Sequence, residues 1–390
     1  MLRYGKLIFF LSKYLTGASK VSETRVSKDS ILQLLTKYCS KPSPPGFEDE
    51  VRELVIEDLK ELSDEVWVDA LGNVIAVKRG RGEGRVMVAA HMDEIGLMIR
   101  HITKDGFLRF APMGGWVDRI LPGQRVIIKT LDGRFIRGVV GCKAPHVMKP
   151  EEAKQVIPMS DLFIDVGASS REEAEGMGIT PGAVAVIERD VAKLGNPDIV
   201  TGRGFDDKVG LAVMIEALRA LTDHKVDVYA VATVQEEVGL KGARVAAFSI
   251  TPHLGIALDT TIASDMPGVE EHDYITRIGK GPAIKVMDGR KGTGLITHPA
   301  IRDLLMEVAK REGIPYQLEV LTGGTTDASI IQLTKDGVPA GTISVPTRYV
   351  HSPVETLNLN DAANAARLLK AFLETLSGDW IARNLKRRIK

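Results

Sequence analysis

Four apolar runs, each passing straight into acidic or histidine residues, set the strongest limit on what this chain can form. Residues 86–90 lead into His91, and residues 226–234 lead into Glu236 and Glu237. Residues 254–258 lead into Asp259, and residues 341–345 reach His351 through a short loop. Short apolar runs bounded by turn signals read as strands buried on both faces, the pattern of a largely parallel sheet. In such sheets functional groups gather beyond the carboxyl ends of the strands. Four separate strands are therefore expected to bring polar side chains to one edge.

Helical stripes lie between these runs: Val209, Val213, Ala217 and Leu221 in one, and Ile301, Leu305 and Ala309 in another. A further helix is expected over 361–376. Residues 30–62 read as two helices, and 66–68 with 73–77 as a strand pair turning at Leu71-Gly72. The stretch 97–196 breaks this rhythm. It is rich in Gly and Val, with turn signals at Lys104-Asp105-Gly106, Pro122-Gly123, Asp132-Gly133 and Pro181-Gly182, and reads as a β-rich domain inserted into the α/β domain. The expected division is an N-terminal extension (1–28), a first α/β segment (29–96), the β-rich insertion (97–199), a second α/β segment (200–380) and a basic tail (381–390). A length of 390 residues accommodates two or three such domains.

Composition excludes several classes. Lys plus Arg and Asp plus Glu balance at 51 each, without the basic excess of a nucleic-acid binder. Cys39 and Cys142 make no C-x-x-C pair, so a thiolate zinc site is not expected. Two reduced thiols and the absence of an N-x-S/T acceptor point to the cytoplasm. The apolar stretch 7–11 follows Arg3 and Lys6, but Lys13 cuts it short. It cannot span a bilayer, which takes about 20 apolar residues, so stable membrane insertion is not expected. It reads first as a mobile or weakly docked extension, with a membrane-surface helix and a targeting signal as alternatives.

The chemistry-bearing residues each have a plain structural reading. His91 and Asp93 fall on one side of an extended chain, where a carboxylate can fix a histidine tautomer; alone, they could equally be a buried core pair. Asp206-Asp207 opens a helix, which by itself suits an N-cap. Glu236-Glu237 follows a strand end, so the two side chains point in different directions; a solvated turn is the alternative. Asp259 and His351 are weak signals singly. Together they make two histidines, two aspartates and a glutamate, with one glutamate to spare. Such a set suits two divalent ions such as zinc, cobalt or manganese, with a shared carboxylate spanning ions about 3.5–4 Å apart. The pair would activate a water, and the spare glutamate would take its proton. No H-E-x-x-H, G-x-S-x-G or Walker A motif competes. Residues 289–294 read as a flexible surface insertion, 323–327 as a turn that either lines a pocket or is purely structural, and 386–390 as a solvated tail.

At this point the chain resembles the TET-type (tetrahedral) metalloaminopeptidases, which include deblocking and glutamyl aminopeptidases. The matching stretches are Ala90-His91-Met92-Asp93-Glu94-Ile95-Gly96, Phe205-Asp206-Asp207-Lys208, Ala232-Thr233-Val234-Gln235-Glu236-Glu237-Val238-Gly239, Ala257-Leu258-Asp259 and Ser344-Val345-Pro346-Thr347-Arg348-Tyr349-Val350-His351-Ser352. The resemblance covers about 30–376. It implies a zinc-peptidase-like α/β domain, its mostly parallel sheet flanked by helices, with an inserted β-rich dimerisation domain. It implies two divalent metal ions, zinc first and cobalt or manganese as alternatives. His91 and Asp259 would hold one ion, Glu237 and His351 the other, and Asp206 would bridge them. Asp93 would orient His91, and Glu236 would be the general base in removing N-terminal residues from short peptides. Dimers would build a hollow dodecamer; some members carry an old endoglucanase label. Three features depart from the pattern: the extension through about Lys28, the 289–294 stretch, and Thr325, where a third glycine is expected. Amide deacylation or carboxypeptidase action on the same core, and a non-catalytic cage scaffold, are the alternative functions.

Overall fold

The computed structural model describes residues 25–151 and 154–385. The apolar stretch 7–11, most of the 1–28 extension and the basic residues 386–390 lie outside the described residues.

Helices Lys28–Cys39 and Asp49–Lys60 come first, then the antiparallel pair Glu65–Val68 and Val74–Lys78. The second strand of that pair borders the central sheet. Strands Asp227–Thr233, Arg85–His91, Leu254–Ile262 and Ala340–Arg348 lie side by side and parallel. The register sets His91 opposite Thr233 and Asp259 opposite Ser344, so the polar ends line up at one edge. Beyond Ala340–Arg348 the sheet continues antiparallel through Glu355–Asn358 and Ile199–Gly202 to Ala192–Lys193. A side branch of Ala283–Met287 and Gln317–Val320 brings the sheet to 11 strands, so the parallel core is framed by antiparallel edges.

Side chains alternate along a strand, and the central parallel strands are buried on both faces. Val86, Val88 and Ala90 face one core with helices Phe205–Ala220, Pro299–Arg311 and Leu359–Thr375. Met87 and Ala89 face the other, under helix Lys241–Ile250. That is why the strands read as continuous apolar runs. Phe205–Ala220 shows a difference from the sequence reading. A single stripe was expected, yet its residues are buried almost all round, because the helix is wedged between the sheet and helices Lys28–Cys39 and Leu359–Thr375.

The inserted region forms a closed barrel in the order Gly96–Ile102, Leu108–Met113, Phe163–Asp165, Phe135–Gly141, Arg125–Lys129 and Val184–Ile187. Its separate core contains Leu97, Ile99, Val126, Ile128, Ile164 and Ala185. Closure removes the open edges that a short sheet would present. The chain rejoins the large sheet at Ala192–Lys193, ahead of the residue-199 boundary. The C-terminus also differs from a tail beginning at 381. Helix Gly378–Asn384 docks, burying Ile381 and Leu385 in the main core.

Candidate metal centre

Five of the six metal-ligand and base candidates lie on the rim that the parallel strands create, and the sixth, Asp206, is brought there by a break in its helix. Asp206 and Asp207 have non-helical torsions at the start of Phe205–Ala220, behind Gly204, which is left-handed at φ 63°. The left-handed torsion favours glycine, and a Cβ on Gly204 would stand 2.7 Å from Glu94 Oε2 and 3.0 Å from Lys208 Nζ, so a larger residue would also have to displace the ends of those two side chains.

Asp206 is the centre of the cluster. Its Oδ1 lies 3.3 Å from His91 Nε2, and its Oδ2 lies 3.3 Å from His351 Nε2. Asp259 Oδ1 is 4.0 Å from His91 Nε2, and Glu237 Oε2 is 3.2 Å from His351 Nε2. Two groups result, His91–Asp206–Asp259 and Asp206–Glu237–His351, with donor atoms in each lying within 4.8 Å of one another. Glu236 belongs to neither, although its Oε2 is 4.0 Å from His91 Nε2.

The carboxylates and histidines perturb one another. Burial opposes charge on both rings, but Asp206 and Asp93 push His91 well above its ordinary value, and Asp206 and Glu237 hold His351 up at about 11. Burial, then neighbouring carboxylates, push Glu236 and Asp259 upward. Asp206 alone is held low, the two histidines outweighing its burial. Asp206 Oδ1 and Glu237 Oε1 are buried without a hydrogen-bond partner. Unpaired buried carboxylate oxygens are costly, and a cation between them and the imidazoles would relieve that cost. The residues therefore fit divalent ions of the zinc type, which take histidine nitrogen and carboxylate oxygen together.

The supporting contacts show how the rim is held. His91 Nδ1 lies 3.0 Å from the Asp93 carbonyl oxygen, whereas the Asp93 carboxylate is farther, at 3.6 Å. A carbonyl only accepts, so Nδ1 carries the proton and Nε2 faces Asp206. The Asp93 carboxylate instead accepts from the amides of Glu236 and Glu237, at 3.0 and 3.1 Å. Asp207 accepts from the His91 amide at 3.2 Å.

Sequence reasoning assigned no role to three further residues. Glu94 is buried and accepts hydrogen bonds from Arg203, Lys208 at 2.6 Å and the Ser43 amide at 3.2 Å. Burial alone would push Glu94 up, but Arg203 and Lys208 hold it at about 2. Lys208→Met, leaving Glu94 one cation, is expected to lower stability by about 3 kcal/mol, read as a lower urea midpoint. A carboxyl held below its unfolded value of 4.5 stabilises above that pH and loses the contribution as pH falls toward 2. Acid unfolding of Lys208→Met should therefore begin at higher pH than in the wild type. An unchanged midpoint and acid transition would show that the ion cluster is not what holds this loop.

An open cavity faces the cluster, with His91, Glu236, Glu237, Lys285, Leu321 and Thr325 in its wall. The turn 323–327 does line it. Thr325 Oγ1 donates to Asp288 Oδ1 at 2.8 Å, and the Gly289 amide donates to the Gly324 carbonyl at 2.8 Å. The two departures at 289–294 and Thr325 thus meet, and the 289–294 stretch is an anchored turn with exposed Arg290 and Lys291. Cys39 and Cys142 are free thiols, and burial pushes Cys39 up to about 12.

An α/β sheet whose parallel core presents two overlapping histidine–carboxylate groups to an open cavity is the arrangement of a protein able to hold metal ions beside a bound substrate. Residues 72–368 match the M42 glutamyl aminopeptidase family, and the chain belongs to it, as a hydrolase of the exopeptidase kind. An aminopeptidase of known structure from the archaeon Desulfurococcus kamchatkensis is 52% identical, covering 93% of this chain and 99% of its own, with a TM-score of 0.90. A lysyl aminopeptidase of Pyrococcus furiosus is 42% identical over 349 residues, 88% of this chain and 97% of its own. The TET1 peptidase of Pyrococcus horikoshii, which can assemble into a tetrahedron or a large octahedral shell, is 37% identical. It covers 89% of this chain and all of its own, with a TM-score of 0.78. Among the described residues, no helix is long and apolar enough to cross a membrane.

Proposed function

We propose that this chain is a dinuclear metalloaminopeptidase that removes N-terminal residues from short peptides, with Glu236 as general base. The observation that carries this reading is the placement of Asp206, whose two carboxylate oxygens face two different histidines. His91, Asp206 and Asp259 would hold one divalent ion, and Asp206, Glu237 and His351 the other, with zinc the first expectation and cobalt or manganese the alternatives. When bound, the ions would supply Lewis acidity and lower the pKa of the attacking water.

The remaining work falls to the chain. Glu236 accepts the water's proton and returns it to the departing amine. Asp93 holds Glu236 and Glu237 in place through their amides, and its carbonyl fixes the His91 tautomer. The carboxylates around the cavity favour a substrate's positively charged amino terminus. Release of successive residues from a free-amine peptide, and none from its N-acetylated form, is the expected result by mass spectrometry. Cleavage of the acetylated peptide in preference would replace this reading with a deacylase.

We further propose that the inserted barrel, taken as the 97–199 domain, is the self-association module and that its dimers build a closed shell. Leu131, Phe135 and Val139 are apolar and exposed on it, at 63, 51 and 45%. Phe135→Asp should reduce the assembled mass seen by light scattering; an unchanged mass would remove the barrel from the interface. Free thiols support placing the enzyme in the cytoplasm.

A further inference from the structure

Glu355 is a buried carboxylate, 2% exposed, that the chemistry above leaves without a role. Its Oε2 accepts from the amides of Phe205, at 2.6 Å, and Asp206, at 3.2 Å. Its Oε1 accepts from the amide of His351, at 3.0 Å. One carboxylate therefore ties together two segments that are about 150 residues apart in sequence and that supply the shared aspartate and a histidine.

The sheet explains why this residue can do so. Glu355 begins the strand Glu355–Asn358, which pairs on one side with Ile199–Gly202 and on the other with Ala340–Arg348. Ile199–Gly202 leads to Asp206, and Ala340–Arg348 leads to His351. Glu355 stands opposite Gly202, and Thr356 opposite Arg348. The carboxylate thus projects from the strand between the two ligand-bearing segments.

The His351 loop needs such a restraint. Tyr349 and His351 both have φ near 60°, the left-handed region that side chains other than glycine avoid. Torsions of this kind persist only where surrounding contacts determine them. The hydrogen bond to Glu355 is the contact that the His351 amide makes. On the other side, the broken start of Phe205–Ala220 leaves the Phe205 and Asp206 amides in need of an acceptor, and Glu355 supplies it.

We propose that Glu355 is a positioning residue that fixes the spacing of Asp206 and His351, and so sets the cation affinity of the Asp206–Glu237–His351 group. This inference rests on the two-ion reading of the site. The His91–Asp206–Asp259 group should depend on it less. His91 is held separately, by Asp93 and Asp207, and Asp259 by the strand pairing of Leu254–Ile262. Partners that orient ligands in this way typically change metal affinity by about 10–100-fold.

The test is calorimetric titration of Zn²⁺ into chelator-stripped wild type, Glu355→Gln and Glu355→Ala, each checked for folding by circular dichroism. Glu355→Gln keeps the shape and one acceptor oxygen, so it stays informative if the alanine variant fails to fold. The wild type should show two binding steps. In Glu355→Gln one step should weaken by at least about 10-fold, with the other within about 3-fold. Raising the Zn²⁺ concentration should restore turnover of an aminoacyl chromogenic substrate with KM little changed, a rescue that a general loss of stability would not give. Two steps of wild-type affinity in folded Glu355→Gln would overturn the role of Glu355. Uniform weakening of both steps would overturn its selectivity for one group. Wild-type protein that takes up no cation would overturn the two-ion reading itself.

Discussion

Glu236→Gln should keep its divalent ions and its fold while losing on the order of 10²–10⁴ in kcat, the usual contribution of a positioned acid–base group. The expectation follows from placement. Glu236 lies beside the cluster, with Oε2 4.0 Å from His91 Nε2, yet it is a member of neither group. Its amide is held by Asp93, and its carboxylate faces the cavity that receives the substrate. Glutamine preserves this shape and removes only the capacity to take up and return a proton. Kinetics on an aminoacyl chromogenic substrate, with bound metal measured on the same sample, separates the two effects. Loss of metal together with activity would make Glu236 a ligand, and near-normal turnover would remove it as the base.

Asp206→Asn should be the more severe change, abolishing measurable turnover and lowering uptake at both positions. Each oxygen of Asp206 serves a different group, so no other single substitution among the five candidates touches both. An amide presents one acceptor and one donor, and a donor aimed at a cation is repulsive, so one of the two groups loses its carboxylate oxygen. Activity should fall by at least about 10³-fold, since the shared carboxylate and the acidity it organises are lost together. Elemental analysis after dialysis against Zn²⁺ is the direct check. Retention of two ions per subunit would show that Asp206 does not bridge.

Much of this arrangement was legible in the sequence because the central strands are buried on both faces. Burial on both sides makes residues 86–90 and 254–258 continuously apolar, and the polar residues that end them stand out by contrast. The presence of helices was readable for a different reason, because one face stayed polar, as in Asp49–Lys60. The closed form of the barrel was not readable. It depends on pairings such as Leu97 with Ala185, which join residues far apart in sequence and leave no local periodicity.

The residues that support the site were the least legible. Lys208 is a charged residue at the head of an apolar helix to which the sequence assigned no role, yet it is fully buried against Glu94, 114 positions away. Glu355 opens a four-residue strand too short and too polar to announce itself. Its proximity in sequence to His351 was the one available signal, and spacing alone does not say that it also grips Phe205 and Asp206. Asp93 was expected to act on His91 with its carboxylate. The backbone carbonyl lies closer to the ring, and the carboxylate turns to the Glu236 and Glu237 amides. Backbone groups carry no sequence signature, so that division of labour appears only in three dimensions.

The most direct test of the two-ion aminopeptidase is stepwise addition of Zn²⁺ to stripped protein, following bound metal and hydrolysis of a free-amine aminoacyl substrate together. The expected result is two ions bound per subunit, with turnover absent in the stripped protein and rising to its maximum as the second site fills. Full turnover by protein that holds no metal, or two bound ions with no cleavage of any free-amine substrate, would contradict it.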